Sequence, residues 1–125
     1  QYISSFDEPH FFVLVSEKKD AIEGVAAKTL EQFNTSNATE KKFKVSNLIL
    51  NDTYTLTLVS DLPGLAAAKE YYKSFSEKRD TFSGLKTYKF SYFVITKDNF
   101  DIFYRTKGID EYTRFFEKNY SLQNP

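Results

Sequence analysis

Strand-like and helix-like hydrophobic patterns alternate along this chain in an order that leaves few architectures open. The run His10 to Glu17 (HFFVLVSE), bounded by Pro9 and polar Lys18-Lys19-Asp20, consists of β-formers and reads as a buried strand. Asp20 then stands three residues before Glu23 in capping-box spacing. Ile22, Val25, Ala26, Leu30 and Phe33 recur at helical intervals, predicting a helix to about Asn34. Thr35 to Thr39 is polar and aperiodic, the pattern of a loop. Phe43 to Leu50 and Tyr54 to Val59 are β-rich, and Asn51-Asp52-Thr53 between them has hairpin length. Asp61-Leu62-Pro63-Gly64 breaks the chain, after which Leu65, Ala68, Tyr72 and Phe75 mark one face of a second helix toward Lys78. Past Ser83-Gly84, Tyr88, Phe90, Tyr92 and Val94 alternate with Thr87, Lys89 and Ser91, predicting a fourth strand.

The order β-α-β-β-α-β predicts an α+β domain of the ferredoxin-like, split-βαβ kind, in which two helices cover one face of a four-stranded antiparallel sheet. At 125 residues the chain suits a single domain over 1–125, with a βαββαβ core over about 10–95 and a helical extension over about 97–120. In the extension, Thr96-Lys97-Asp98 has the form of a cap for a short helix through Tyr104, and Gly108 suits a helix stop. Ile109, Tyr112, Phe115 and Phe116 outline a terminal amphipathic helix, and Leu122 to Pro125 reads as a frayed tail. The absence of Met, with the Gln1-Tyr2 start, points to an excised segment or a mature product of a longer chain.

The open face of such a sheet decides where the protein can make contacts. If Phe11, Val13 and Val15 face the two helices, the period of two sends Phe12 and Leu14 to the other face, joined by Val59 and Phe93. That apolar patch is then covered by the terminal helix or forms an interface, and Phe12, Leu14, Val59 and Phe93 are the candidate protein-contact residues. The aromatic load, 13 Phe and 9 Tyr without Trp, leaves rings either lining such a surface or half-buried with wet hydroxyls.

Charge and chemistry-bearing residues exclude much. Lys+Arg and Asp+Glu balance at 17 each, so no net field recruits nucleic acid or an anionic membrane. The longest apolar runs, such as Phe11 to Val15, cannot span a bilayer. Without Cys there is no disulfide framework, thiolate metal site or thiol nucleophile. His10, the one histidine, has no partner at metal-ligand or catalytic spacing and reads as a surface residue. No nucleophile elbow surrounds a serine, and Gly24, Gly64, Gly84 and Gly108 form no phosphate-cradling loop. Asp98 with Asp101 and Asp110 with Glu111 fit helix starts, and the mixed runs Glu17 to Asp20 and Glu77 to Asp80 fit solvated helix ends. An RNA-recognition reading of the fold lacks its glycine-aromatic signature, since the third strand offers Thr55, Thr57 and Val59. Four Asn-x-Ser/Thr triplets, at Asn34, Asn37, Asn51 and Asn119, match the glycosylation pattern without deciding anything. The expectation is a non-catalytic domain without cofactor or metal.

Glu8 to Val15 (EPHFFVLV), Tyr92 to Phe100, Ile102-Phe103-Tyr104, Tyr112 and Phe115 to Tyr120 (FFEKNY) resemble the C-terminal domain of the Bacteroidetes tetratricopeptide-repeat lipoproteins associated with gliding motility and type IX secretion. The resemblance runs over almost the whole chain and implies a periplasmic, cell-envelope protein in which helical repeats form the scaffold and this segment is a terminal appendage for assembly or partner contact. Three readings stand side by side: a protein-interaction domain, homodimeric or binding a partner through the open sheet face or a strand edge; a peptidoglycan-binding domain by analogy with the SPOR module; and a small-molecule sensor or cofactor-free enzyme of the dimeric ferredoxin-like type. The second needs exposed tyrosines beside amides and charges in a groove, and the third an enclosed pocket with convergent polar groups.

Overall fold

The computed structural model describes residues 1–37 and 43–120. Its elements are β1 (His10–Glu17), α1 (Glu23–Asn37), β2 (Lys44–Ile49), β3 (Tyr54–Leu62), α2 (Leu65–Lys78), β4 (Phe90–Thr96), α3 (Lys97–Thr106) and α4 (Ile109–Asn119). The four strands make one antiparallel sheet in the order β2-β3-β1-β4, which leaves β2 and β4 as its edges.

Local chemistry accounts for most boundaries. The β2–β3 turn is held by the Asn51 side-chain oxygen, which accepts from the Thr53 and Tyr54 amides. Thr96 caps α3 by accepting the Asn99 amide at 3.1 Å. β3 runs on to Leu62, past the expected Val59, because a bulge absorbs the break: the β1 register slips between His10 and Phe12, and Asp61 takes a left-handed φ of 68°. Three helix ends differ from expectation. Asp20 lies in a 3-10 turn over Lys18–Asp20, cut off from α1 by Ala21 at φ 51°, so it does not cap α1. At its other end α1 takes in Thr35, Ser36 and Asn37, read as loop from polarity alone; Ala38, Thr39 and the 121–125 tail lie outside the described residues. α3 ends on Lys107 in the left-handed conformation, one residue before the expected Gly108, with the Lys107 amide bonding the Phe103 carbonyl.

The direction of the sheet faces is a correction. Phe12 packs on Tyr71 and Phe75 of α2, at ring separations of 4.9 and 5.0 Å, so Phe12 and Leu14 face α1 and α2. Phe11, Val13 and Val15 face the other way, where Phe11 meets Phe100 of α3 and Phe93 meets Phe103 and Tyr112. The terminal helices therefore cover the second face, as one of the two alternatives supposed, and the central strands β3 and β1 are buried on both sides, whereas edge strand β2 keeps Ile49 58 % exposed. Alternation fixes which residues share a face but not which face meets which helices, and β1 is apolar on both.

The turn after α2 approaches α1 closely: a Cβ added at Gly84 would sit 2.7 Å from Val25 Cγ1. Valine in a helix has little χ1 freedom to yield. Gly84→Ala is expected to lower stability by roughly 1–3 kcal/mol. Adding Val25→Ala, at a position 43 % exposed, should restore most of it in urea denaturation. A double variant no more stable than Gly84→Ala alone would contradict the contact.

Candidate functional site: the uncovered half of the β4 edge

The four candidate contact residues do not reach the surface. Phe12, Leu14 and Val59 are 0 % exposed on the α1/α2 side and Phe93 is 1 % exposed on the opposite side, so they form no patch. His10, expected at the surface, is also buried. Its Nδ1 donates to the Glu8 carbonyl at 3.0 Å, which leaves Nε2 to accept from the Tyr120 hydroxyl at 2.9 Å. Burial pushes Tyr120 up to about 12, so it stays the protonated donor. Phe6 packs at a tilt on Tyr120, its ring centroid 4.6 Å away, so His10 and Tyr120 tie β1, the N-terminal segment and the end of α4 together.

Burial lowers the His10 pKa, against a smaller opposing effect of the Glu8 carbonyl. The unfolded chain, with its histidine near 6.5, then binds the proton more readily than the folded one. The stability from neutral His10 is present above pH 6.5 and is lost as pH falls through the lower folded value. The urea midpoint is expected to drop between pH 7.5 and 5.5, with a shallower drop in His10→Gln; equal slopes would contradict the assignment.

Two accessible recesses lie at the other end of β4. From Phe90 to Thr96 is six positions, or about 20 Å at 3.3 Å per residue. Backbone directions along this edge follow from two bonds. The Lys97 amide bonds the Pro9 carbonyl, so odd-numbered residues face β1, whereas the Val94 carbonyl turns outward and accepts the Tyr112 hydroxyl at 2.7 Å. Phe90 and Tyr92 share the outward direction. α4 covers β4 around Val94 through Tyr112, but at Phe90–Tyr92 it stands off.

Two clefts, both open to solvent, fill that gap. One of about 750 Å³ lies between the start of β4 and the stretch from Lys107 to Glu111. The other, of about 280 Å³, lies between β4, Tyr72 of α2, and Thr113, Phe116 and Glu117 of α4. Arg79, Phe90 and Ser91 line both. Arg79 follows α2 directly and lies over two rings, its Cζ 4.8 Å from the Phe90 centroid and 5.3 Å from that of Tyr92. It is half-buried and makes no ion pair among the described residues. The Tyr92 hydroxyl is held at 2.9 Å by Ser76. Tyr54, Tyr88 and Asn51 complete one wall of the larger cleft.

The arrangement offers a guanidinium, ring faces and unpaired strand backbone, with the sole imidazole at the far end of the strand. Among the described residues no three His, Cys, Asp or Glu side chains come together as a metal site, and no helix is long and apolar enough to cross a membrane. The run Glu77-Lys78-Arg79-Asp80 has the pattern of a solvated helix end and carries no sign that one member lies over rings of a later strand. No protein family, curated protein or solved structure matches the chain.

Proposed function

We propose that this chain is a non-catalytic protein-interaction domain with a ferredoxin-like βαββαβ core, of the kind that serves assembly in cell-envelope tetratricopeptide-repeat proteins of gliding motility and type IX secretion, and that it works in the periplasm. The strand order β2-β3-β1-β4 with α2 across β1 and β4 supports the fold. The resemblance of the EPHFFVLV and FFEKNY segments supports the setting. The carrying observation for interaction is the gap along β4: aromatic, cationic and hydroxyl side chains surround strand backbone that the molecule leaves uncovered, while the central strands β3 and β1 are buried on both faces. The contact surface thus moves from the sheet face to its edge.

A second reading, a peptidoglycan-binding domain, is favoured by one feature of the same cleft: Tyr54 and Tyr88 stand there beside the Asn51 amide and the Glu17 carboxylate. An NMR titration separates the two, comparing peptides selected from a random library with muropeptide fragments. Protein interaction predicts that selected peptides shift the amides of 88–92 and 108–117 and that muropeptides do not. The reverse pattern makes the glycan reading correct, and peptides that shift only other regions remove this cleft from the account.

A further inference from the structure

Resting on the protein-interaction reading, we infer that the free half of β4 accepts an extended segment of a partner protein as an added strand, with an acidic side chain of that segment held by Arg79. Three observations converge on this occupant. First, Phe90 and Tyr92 each direct an N–H and a C=O away from β1, by the register that points Val94 outward. Whereas Val94 has Tyr112, the Phe90–Tyr92 stretch faces the two clefts, and strand addition satisfies such groups with main-chain bonds.

Second, the alternation of an added strand fixes its side chains. A residue opposite Phe90 or Tyr92 projects on the same side as those rings, which is the side where Arg79 lies over them. Its neighbours project to the opposite side, toward Ser91 and Ile109. Third, Arg79 is a half-buried guanidinium with two ring faces for partners and, among the described residues, no carboxylate. The rings hold the guanidinium beside the open strand edge, and a carboxylate is the anion an arginine fork takes with two parallel bonds. Glu117, on the α4 wall, repels a second acid and confines the preference to the position over Arg79.

The other edge is less suited. The Leu50 amide bonds the Tyr54 carbonyl, so on β2 the outward residues are Val45, Asn47 and Ile49. There the Ile49 carbonyl already accepts the Tyr104 hydroxyl at 2.9 Å.

The test presents the immobilised full chain with two pools of capped heptapeptides, random at six positions, with glutamate fixed at the centre in one pool and glutamine in the other. The glutamate pool is expected to be retained about three- to tenfold more strongly, the scale of one net hydrogen bond at a solvent-open site. Arg79→Gln is expected to abolish that ratio and Arg79→Lys to keep part of it. Retained peptides should slow amide exchange at Phe90 and Tyr92, and N-methylation of alternate peptide residues in one of the two registers should eliminate binding. Equal retention of the pools, a ratio unchanged in Arg79→Gln, or protection along Val45–Ile49 would overturn the inference. Peptides that bind the cleft with neither acid preference nor amide protection would sink strand addition and leave the protein-interaction reading standing; a cleft that retains neither pool and shifts with no selected peptide would sink both.

Discussion

Phe12→Asp is expected to leave the chain unfolded at room temperature, while Phe11→Asp, its immediate neighbour, folds. Phe12 is 0 % exposed and stands among Tyr71, Phe75 and Tyr92. Truncating a buried phenylalanine costs about 3–5 kcal/mol, and an unpaired carboxylate there adds several more. The sum is on the order of the whole stability of a domain this size, about 5–15 kcal/mol. Phe11 is half-buried and has one ring partner, Phe100. An aspartate at Phe11 can reach water, so a loss of about 1–2 kcal/mol is expected. Far-UV circular dichroism and urea denaturation of the two variants decide the matter. If Phe12→Asp folded and altered only the solution mass, the α1/α2 side of β1 would be an interface and not a core.

The pair also shows what the sequence made legible. The order and type of the elements were readable, because each rests on signals local to its own segment: period two in Phe90–Val94, period 3.6 in Leu65–Phe75, and Thr96 as a cap. Face polarity was not readable, because it depends on which helices arrive on which side and β1 gives no polar residue between Phe11 and Val15 to break the tie. The last turn of α1 was missed for a related reason. Thr35 and Ser36 are poor helix formers, yet Phe33 and Asn34 are buried against α2, with the Tyr71 hydroxyl donating to Asn34, and that packing carries the helix onward.

The candidate site was the least legible part. Arg79 lies eleven residues before Phe90, and nothing local distinguishes its stacked guanidinium from a solvated one. Its role depends on β4 being an edge, and on α4 covering only part of that edge. Both are properties of the assembled sheet. His10 failed in the opposite direction: one histidine beside a proline looks exposed until Tyr120 folds back 110 residues later to close over it.

Cover along β4 is the structural variable on which the site depends, and Tyr112 sets it. The residue is 0 % exposed; its ring packs on Phe93 at 4.8 Å and Tyr2 at 5.0 Å, and its hydroxyl donates to the Val94 carbonyl. Tyr112→Phe keeps the rings and leaves a buried carbonyl unpaired, for an expected loss of about 1–3 kcal/mol. Tyr112→Ala also removes the packing that holds α4 to the sheet, and about 3–5 kcal/mol is expected. The two should differ in kind as well as size. In hydrogen exchange, Tyr112→Phe should weaken protection across the molecule in proportion to its stability. Tyr112→Ala should strip protection from Ile109–Asn119 first, and the backbone from Phe90 through Val94 then becomes one uninterrupted free edge. Such an edge invites pairing between copies, so Tyr112→Ala is expected to gain concentration-dependent mass in light scattering that Tyr112→Phe lacks. A monomeric Tyr112→Ala protein with α4 still protected would show that α4 is held by Phe116 and Tyr120 instead, and that the opening at Phe90–Tyr92 is fixed independently of Tyr112.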